Sequence, residues 1–175
     1  MELALMLARN NVERRTGGPF GAAIFSVPLG ELVAVGVNRV VENSCSHAHA
    51  EMSAIAQAQR EIGCHDPAQL ISVPADGEEG PIPGTELVTS AEPCAMCFGA
   101  LAWSGITHLV CGARAEDTEA IGFDEGPKPE QWREALEARG IAVTVDISRN
   151  DARAVFTRYA ELDGAIYNGR ACAGA

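Results

Sequence analysis

The sequence has no apolar run approaching the eighteen or so residues that a membrane span needs. It is also poor in positive charge. Lys and Arg number 13 against 24 Asp and Glu, for a formal net charge of −11, and the isoelectric point lies near 4.7. Proteins that track nucleic acids draw much of their affinity from Lys and Arg neutralising phosphates. Anionic membrane surfaces select the same residues. No nucleic-acid partner and no membrane partner is therefore expected, and a small neutral substrate remains open. Six cysteines are too few for a disulfide scaffold at 175 residues. In a reducing compartment, closely spaced thiols bind metal or do redox work. The opening stretch MELALMLARNNVERR has an acidic second residue and no small-residue cleavage site. It reads as a helix rather than a signal peptide, and the expected location is the cytoplasm.

What is present suits one globular domain spanning residues 1–175, with 163–175 as a C-terminal tail. Hydrophobic residues make up 47 % and charged residues 21 %, enough apolar material for a core without cross-links. Periodicity predicts a helix over Glu2–Arg15, with Leu3, Met6, Leu7 and Asn10 on one side. It stops at Thr16-Gly17-Gly18-Pro19. Gly21–Val27 and Glu31–Val37 read as strands of a hairpin turned at Pro28-Leu29-Gly30. His49–Ile62 reads as a helix with Met52, Ile55, Ala56 and Gln59 on its inner face. Leu70–Val73 offers a short strand start before the Pro/Gly/acidic loop PADGEEGPIPG. Strand Thr85–Ser90, helix Cys94–Ser104 and strand Thr107–Cys111 follow. Helix Pro129–Arg139, strand Ile141–Val145 and helix Asn150–Leu162 complete the series, the last with Ala154, Val155, Tyr159 and Leu162 inward. Helices alternating with single strands after an opening hairpin predict a three-layer α/β/α sandwich around a mixed five-stranded sheet.

Two short segments carry chemistry: His49-Ala50-Glu51 and Pro93-Cys94-Ala95-Met96-Cys97, each at a predicted helix start. Cysteines three apart on a first helical turn point to the same side. The positive end of the helix favours thiolate over thiol. Two thiolates and one imidazole are three good ligands for Zn²⁺, and a fourth position left to water is the arrangement of a catalytic site. Such a water has its pKa lowered from about 16 to around 7. Glu51 is not needed as a ligand and can carry a proton between that water and a substrate nitrogen. This chemistry suits attack on an amino-bearing carbon of an aromatic ring, with loss of ammonia. The blander readings are a buried thiol pair, or a closed structural zinc site with His47 as fourth ligand.

H-x-E followed by P-C-x-x-C resembles the signature of the zinc-dependent cytidine deaminase superfamily. Within it the chain is most similar to bacterial guanine deaminases. GGPFGA before the first strand, HAEMSAI, SAEPCAMCFGALAW and EAIGFDE at 119–125 carry the likeness, which spans most of the chain from Leu3 to about Leu162. The resemblance implies Zn²⁺ held by His49, Cys94 and Cys97, with Glu51 as proton shuttle. It implies Asn38 on the purine edge and a second carboxylate at Glu125 near the departing amine, with Asp124 beside it. Ala50, Phe20 and Trp103 are expected against the flat base, together with Phe123. It further implies a homodimer in which exchanged C-terminal segments close one another's pockets.

Several of these residues have plainer readings. Gly17-Gly18 is either a helix stop or a place for close backbone approach to a ligand. Asn38 is also a good turn former, and Asp124-Glu125 also reads as an acidic surface loop. Rival functions are deamination of guanosine, cytosine or an aminotriazine, deamination of adenosine in tRNA, and a non-catalytic zinc scaffold.

Overall fold

The structure, a computed structural model, describes residues 1–27, 29–66 and 84–169. Pro28 of the hairpin turn, the Leu70–Val73 run, all but Gly84 of the acidic loop, and Cys172 lie outside the described residues.

Strands β1 (Gly21–Val27) and β2 (Leu32–Val37) form the expected antiparallel hairpin. β1 also pairs antiparallel with β3 (Gly84–Ala91). β4 (His108–Ala113) runs parallel to β3, and β5 (Ala142–Thr144) runs parallel to β4. The order across the mixed sheet is β2-β1-β3-β4-β5. Helices α2 (Ala50–Ile62), α3 (Ala95–Leu101) and α5 (Trp132–Glu137) cover one face, where Ala54, Leu101 and Leu136 join Ile24, Leu87 and Leu109 in the main core. Helices α1 (Glu2–Glu13) and α6 (Arg149–Glu161) cover the other, through Leu5, Ala8, Ala152 and Val155. The three-layer α/β/α sandwich is therefore present.

The helix faces differ from those that periodicity predicts. α1 buries Ala4, Leu5, Ala8, Asn11 and Val12, whereas Met6 is exposed. α2 buries Ala50, Glu51, Ala54, Ile55 and Ala58, and in α6 Ala152 and Phe156 point inward while Ala154 is exposed. The cause lies in the sheet. A side chain at Gly21 would stand 2.3 Å from the Ala4 carbonyl oxygen, and one at Gly36 would stand 2.1 Å from that of Ala50. Helices seated this closely on a strand present alanine to it, and the larger residues move to the flanks. A short helix α4 (Ala115–Glu119) was not expected. Asp117 accepts the Arg114 backbone N–H at 2.9 Å and starts it.

Candidate metal centre and cavity

His49 and Cys94 are each the residue just before a helix, α2 and α3 respectively, in extended conformation. Cys97 falls one turn into α3 and is fully buried. The two segments converge so that His49 Nδ1 lies 3.5 Å from Cys94 Sγ and 3.6 Å from Cys97 Sγ. All three donor atoms lie within 4.8 Å of one another, the one such cluster of three or more among the described residues. One imidazole and two sulfurs fit a zinc ion with one corner left open. His47 does not join them; it sits on an exposed loop with its Nδ1 3.4 Å from Cys45 Sγ.

Electrostatics agree with cation binding. The Cys97 thiol hydrogen-bonds Cys94 and holds the Cys94 pKa down to about 4, while Cys97 itself is pushed up by that bond and by burial. Burial opposes charge on the His49 ring, but the bond to Cys94 and the nearby charges of Glu51, Cys94 and Glu125 outweigh it, and its pKa rises. Two carboxyls stand by. Burial, then the charge of Cys94, pushes Glu51 up to about 7. Burial, then the charges of Cys94 and Glu51, pushes Glu125 up to about 8.

The donors open onto a cavity of about 810 Å³. His49, Glu51, Cys94, Asn38, Asp124 and Glu125 all line it, and so does Phe20. The Phe20 ring meets Phe123 edge-on at 5.2 Å and Phe156 at 5.6 Å, so it belongs to the core and to the wall at once. Asn38 is held by the Asn11 side chain, which donates to its carbonyl at 2.8 Å. Its own Oδ1 accepts the Val40 N–H at 3.2 Å.

Two expected contacts fall elsewhere. Trp103 lies beyond the end of α3, is 79 % exposed, and does not line the cavity. Ala50 is fully buried against Gly36 and does not line it either. The C-terminal segment also reaches the site. Tyr167, Asn168 and Gly169 of this same chain line the cavity. Asn168 ties them back, its Oδ1 accepting from Asp124 N at 2.9 Å and its Nδ2 donating to Gly122 O at 3.0 Å. The Tyr167 ring packs edge-on against Phe123 at 5.0 Å, and its hydroxyl fills the space above Gly18. That hydroxyl and Glu125 Oε2 are buried without a hydrogen-bond partner. Buried polar atoms of this kind call for a polar ligand.

Known proteins place this geometry. The model for the cytidine and deoxycytidylate deaminase zinc-binding region matches residues 1–113. The chain belongs to this deaminase family. Among curated members, the guanine deaminase of Bacillus subtilis (strain 168) is 34 % identical over 125 residues, 71 % of this chain and 69 % of that protein. Among solved structures, NE0047 in complex with 2,6-diaminopurine superposes with a TM-score of 0.82 at 51 % identity, covering 95 % of this chain and 82 % of that one. The guanine deaminase from Nitrosomonas europaea superposes with a TM-score of 0.79 at 51 % identity, covering 89 % and 80 %. The deaminase signature residues are thus the ones that the fold gathers here.

Proposed function

We propose that this protein hydrolytically deaminates a purine base, with guanine as the preferred substrate and xanthine and ammonia as products. The observation that carries the reading is a three-donor metal cluster opening onto a cavity that also holds two buried carboxyls of raised pKa. The likeness to guanine deaminases from Bacillus subtilis and Nitrosomonas europaea, the latter (NE0047) also solved with 2,6-diaminopurine, another flat aminated purine, supports it.

His49, Cys94 and Cys97 would hold the ion, which we take to be zinc. When bound, it supplies a Lewis acid that lowers the pKa of a water molecule from about 16 towards 7. Glu51 accepts a proton from the attacking water and delivers it to the ring nitrogen beside the amino-bearing carbon. A carboxyl with its pKa near neutrality can do both. Glu51 then takes the second proton from the added hydroxyl, and as the C–N bond breaks that proton passes to the amine, directly or through Glu125; the amine leaves as ammonia and the ring carbon keeps the water oxygen as a carbonyl. Asn38, whose Oδ1 is already engaged, has its amide N–H groups free to donate to the purine edge. Phe20 and Phe123 supply apolar wall for the ring. We also propose a homodimer and a cytoplasmic location. Among the described residues no helix is long and apolar enough to cross a membrane.

Ammonia release across guanine, guanosine, cytosine, adenine and an aminotriazine, with zinc measured in the same sample, tests the reading. Guanine is expected to react fastest, with stoichiometric zinc. Folded, zinc-loaded protein that releases no ammonia from guanine would overturn it.

A further inference from the structure

The chain has a single lysine, Lys128; its other cationic side chains are all arginine. Only 9 % of the lysine's side chain is exposed. Its ammonium donates to the Pro93 carbonyl oxygen at 3.0 Å and to Glu92 Oε2 at 3.3 Å. It also stands 4.6 Å from the centroid of the Trp132 ring. An ammonium has three donors and no acceptor, and here a carbonyl, a carboxylate and a ring face surround it. Glu92 Oε2 in turn accepts from Ala115 N at 3.3 Å. Lys128 therefore binds together the approach to Cys94, the start of α4 and the first residue of α5.

Glu125 sits in the stretch between α4 and α5, which contains no helix or strand. Its Oε2 has no hydrogen-bond partner, so the carboxyl is placed by its backbone. Two straps hold that backbone. One is the hydrogen bond from Ala95 N to Glu125 O at 2.8 Å. The other begins at Gly126, where a φ of +70° turns the chain back, continues through Lys128 N donating to Gly126 O at 2.9 Å, and ends at the Lys128 ammonium. An apolar pair at 92 and 128 would fill the same space without the cost of desolvating two charges, so fold stability gives no reason to keep this ion pair. Its geometry does, because it fixes the loop relative to the cysteine turn.

We propose that Lys128 is a positioning residue for Glu125: its ammonium straps the loop that carries this carboxyl to the segment leading into Cys94. The inference rests on the guanine deaminase reading of the cavity.

The test uses the full-length zinc-loaded protein, with kcat, KM and zinc content measured for guanine. Lys128→Met alone leaves Glu92 as an unpaired buried carboxylate, so it is also made together with Glu92→Gln. In both forms kcat is expected to fall roughly 10- to 100-fold, with KM within about threefold and zinc retained. Lys128→Arg, which keeps the charge, should recover part of the loss. The deciding arm is the Glu125→Gln background, where Lys128→Met should cost less than about threefold because the group it positions is already disabled. The same fold loss in both backgrounds, loss of zinc in step with activity, or a Lys128→Met enzyme within twofold of the parent would each overturn the proposal. A parent that releases no ammonia from guanine would instead sink the underlying reading, and this inference with it.

Discussion

Glu51 and Glu125 in the cavity, and Asp117 in α4 and Asp146 just before α6, are the same chemical group in opposite surroundings. Asp117 accepts from Arg149 Nε at 2.7 Å and from Arg114 N at 2.9 Å. Asp146 receives both Nε and Nη2 of Arg114 at 2.8 Å. These arginines hold both aspartates below the usual carboxylate range. The cavity acids have no arginine partner among their contacts, and burial drives them the other way, to about 7 and about 8. An acid locked in its charged form serves architecture. An acid poised near neutrality can exchange a proton, and such groups gather where chemistry is done.

The largest effect expected from this contrast is at Glu51. Glu51→Gln keeps the shape and the metal donors but removes the proton carrier. It should retain zinc and lose turnover by roughly 10²- to 10⁴-fold, checked by ammonia release beside zinc analysis. Near-parental turnover would place the shuttle elsewhere.

A middle effect concerns pH. In chelator-treated protein the Glu125 pKa is raised from the ordinary 4.5 to about 8. Between those values the native state holds more protons than the unfolded state, so stability falls as pH rises through that window. Glu125→Gln removes this share of the loss. Relative to the parent, the variant should gain little at pH 4 and on the order of 2–4 kcal/mol by pH 9, read by urea denaturation. A constant difference across pH would refute the unpaired, buried state of this carboxyl.

The smallest effect lies on the ionic side. Arg149→Met breaks the clamp on Asp117 far from the metal donors. Arg153 Nε still faces Asp117 at 3.3 Å, so Tm should fall by only about 2–4 °C at moderate salt, with kcat unchanged. A large loss of activity would show that the two sets of acids are coupled.

Much of this contrast is legible in the sequence. The His-x-Glu and Cys-x-x-Cys spacings name the donors, because first turns of helices impose fixed directions on side chains. The mixed five-stranded sheet and its three layers follow from the alternation of elements. The helix faces do not, because hydrophobic periodicity weighs Met6 and Leu7 above Ala4 and Ala8. Only the close seating at Gly21 and Gly36 reveals why small residues turn inward. Nor does an aromatic ring near a motif carry any sign of which side it faces, as exposed Trp103 illustrates. Lys128 comes from a segment without period, and only the folded chain brings it to the cavity's support.

The contact at Gly36 reaches further than packing. Ala50, whose carbonyl rests on that glycine, stands between His49 and Glu51. A single added methyl on β2 would lift the start of α2 and carry the imidazole and its neighbouring acid away from the cysteines together. The spacing of the whole reactive centre is thus calibrated by one missing side chain on a strand that does not itself line the cavity.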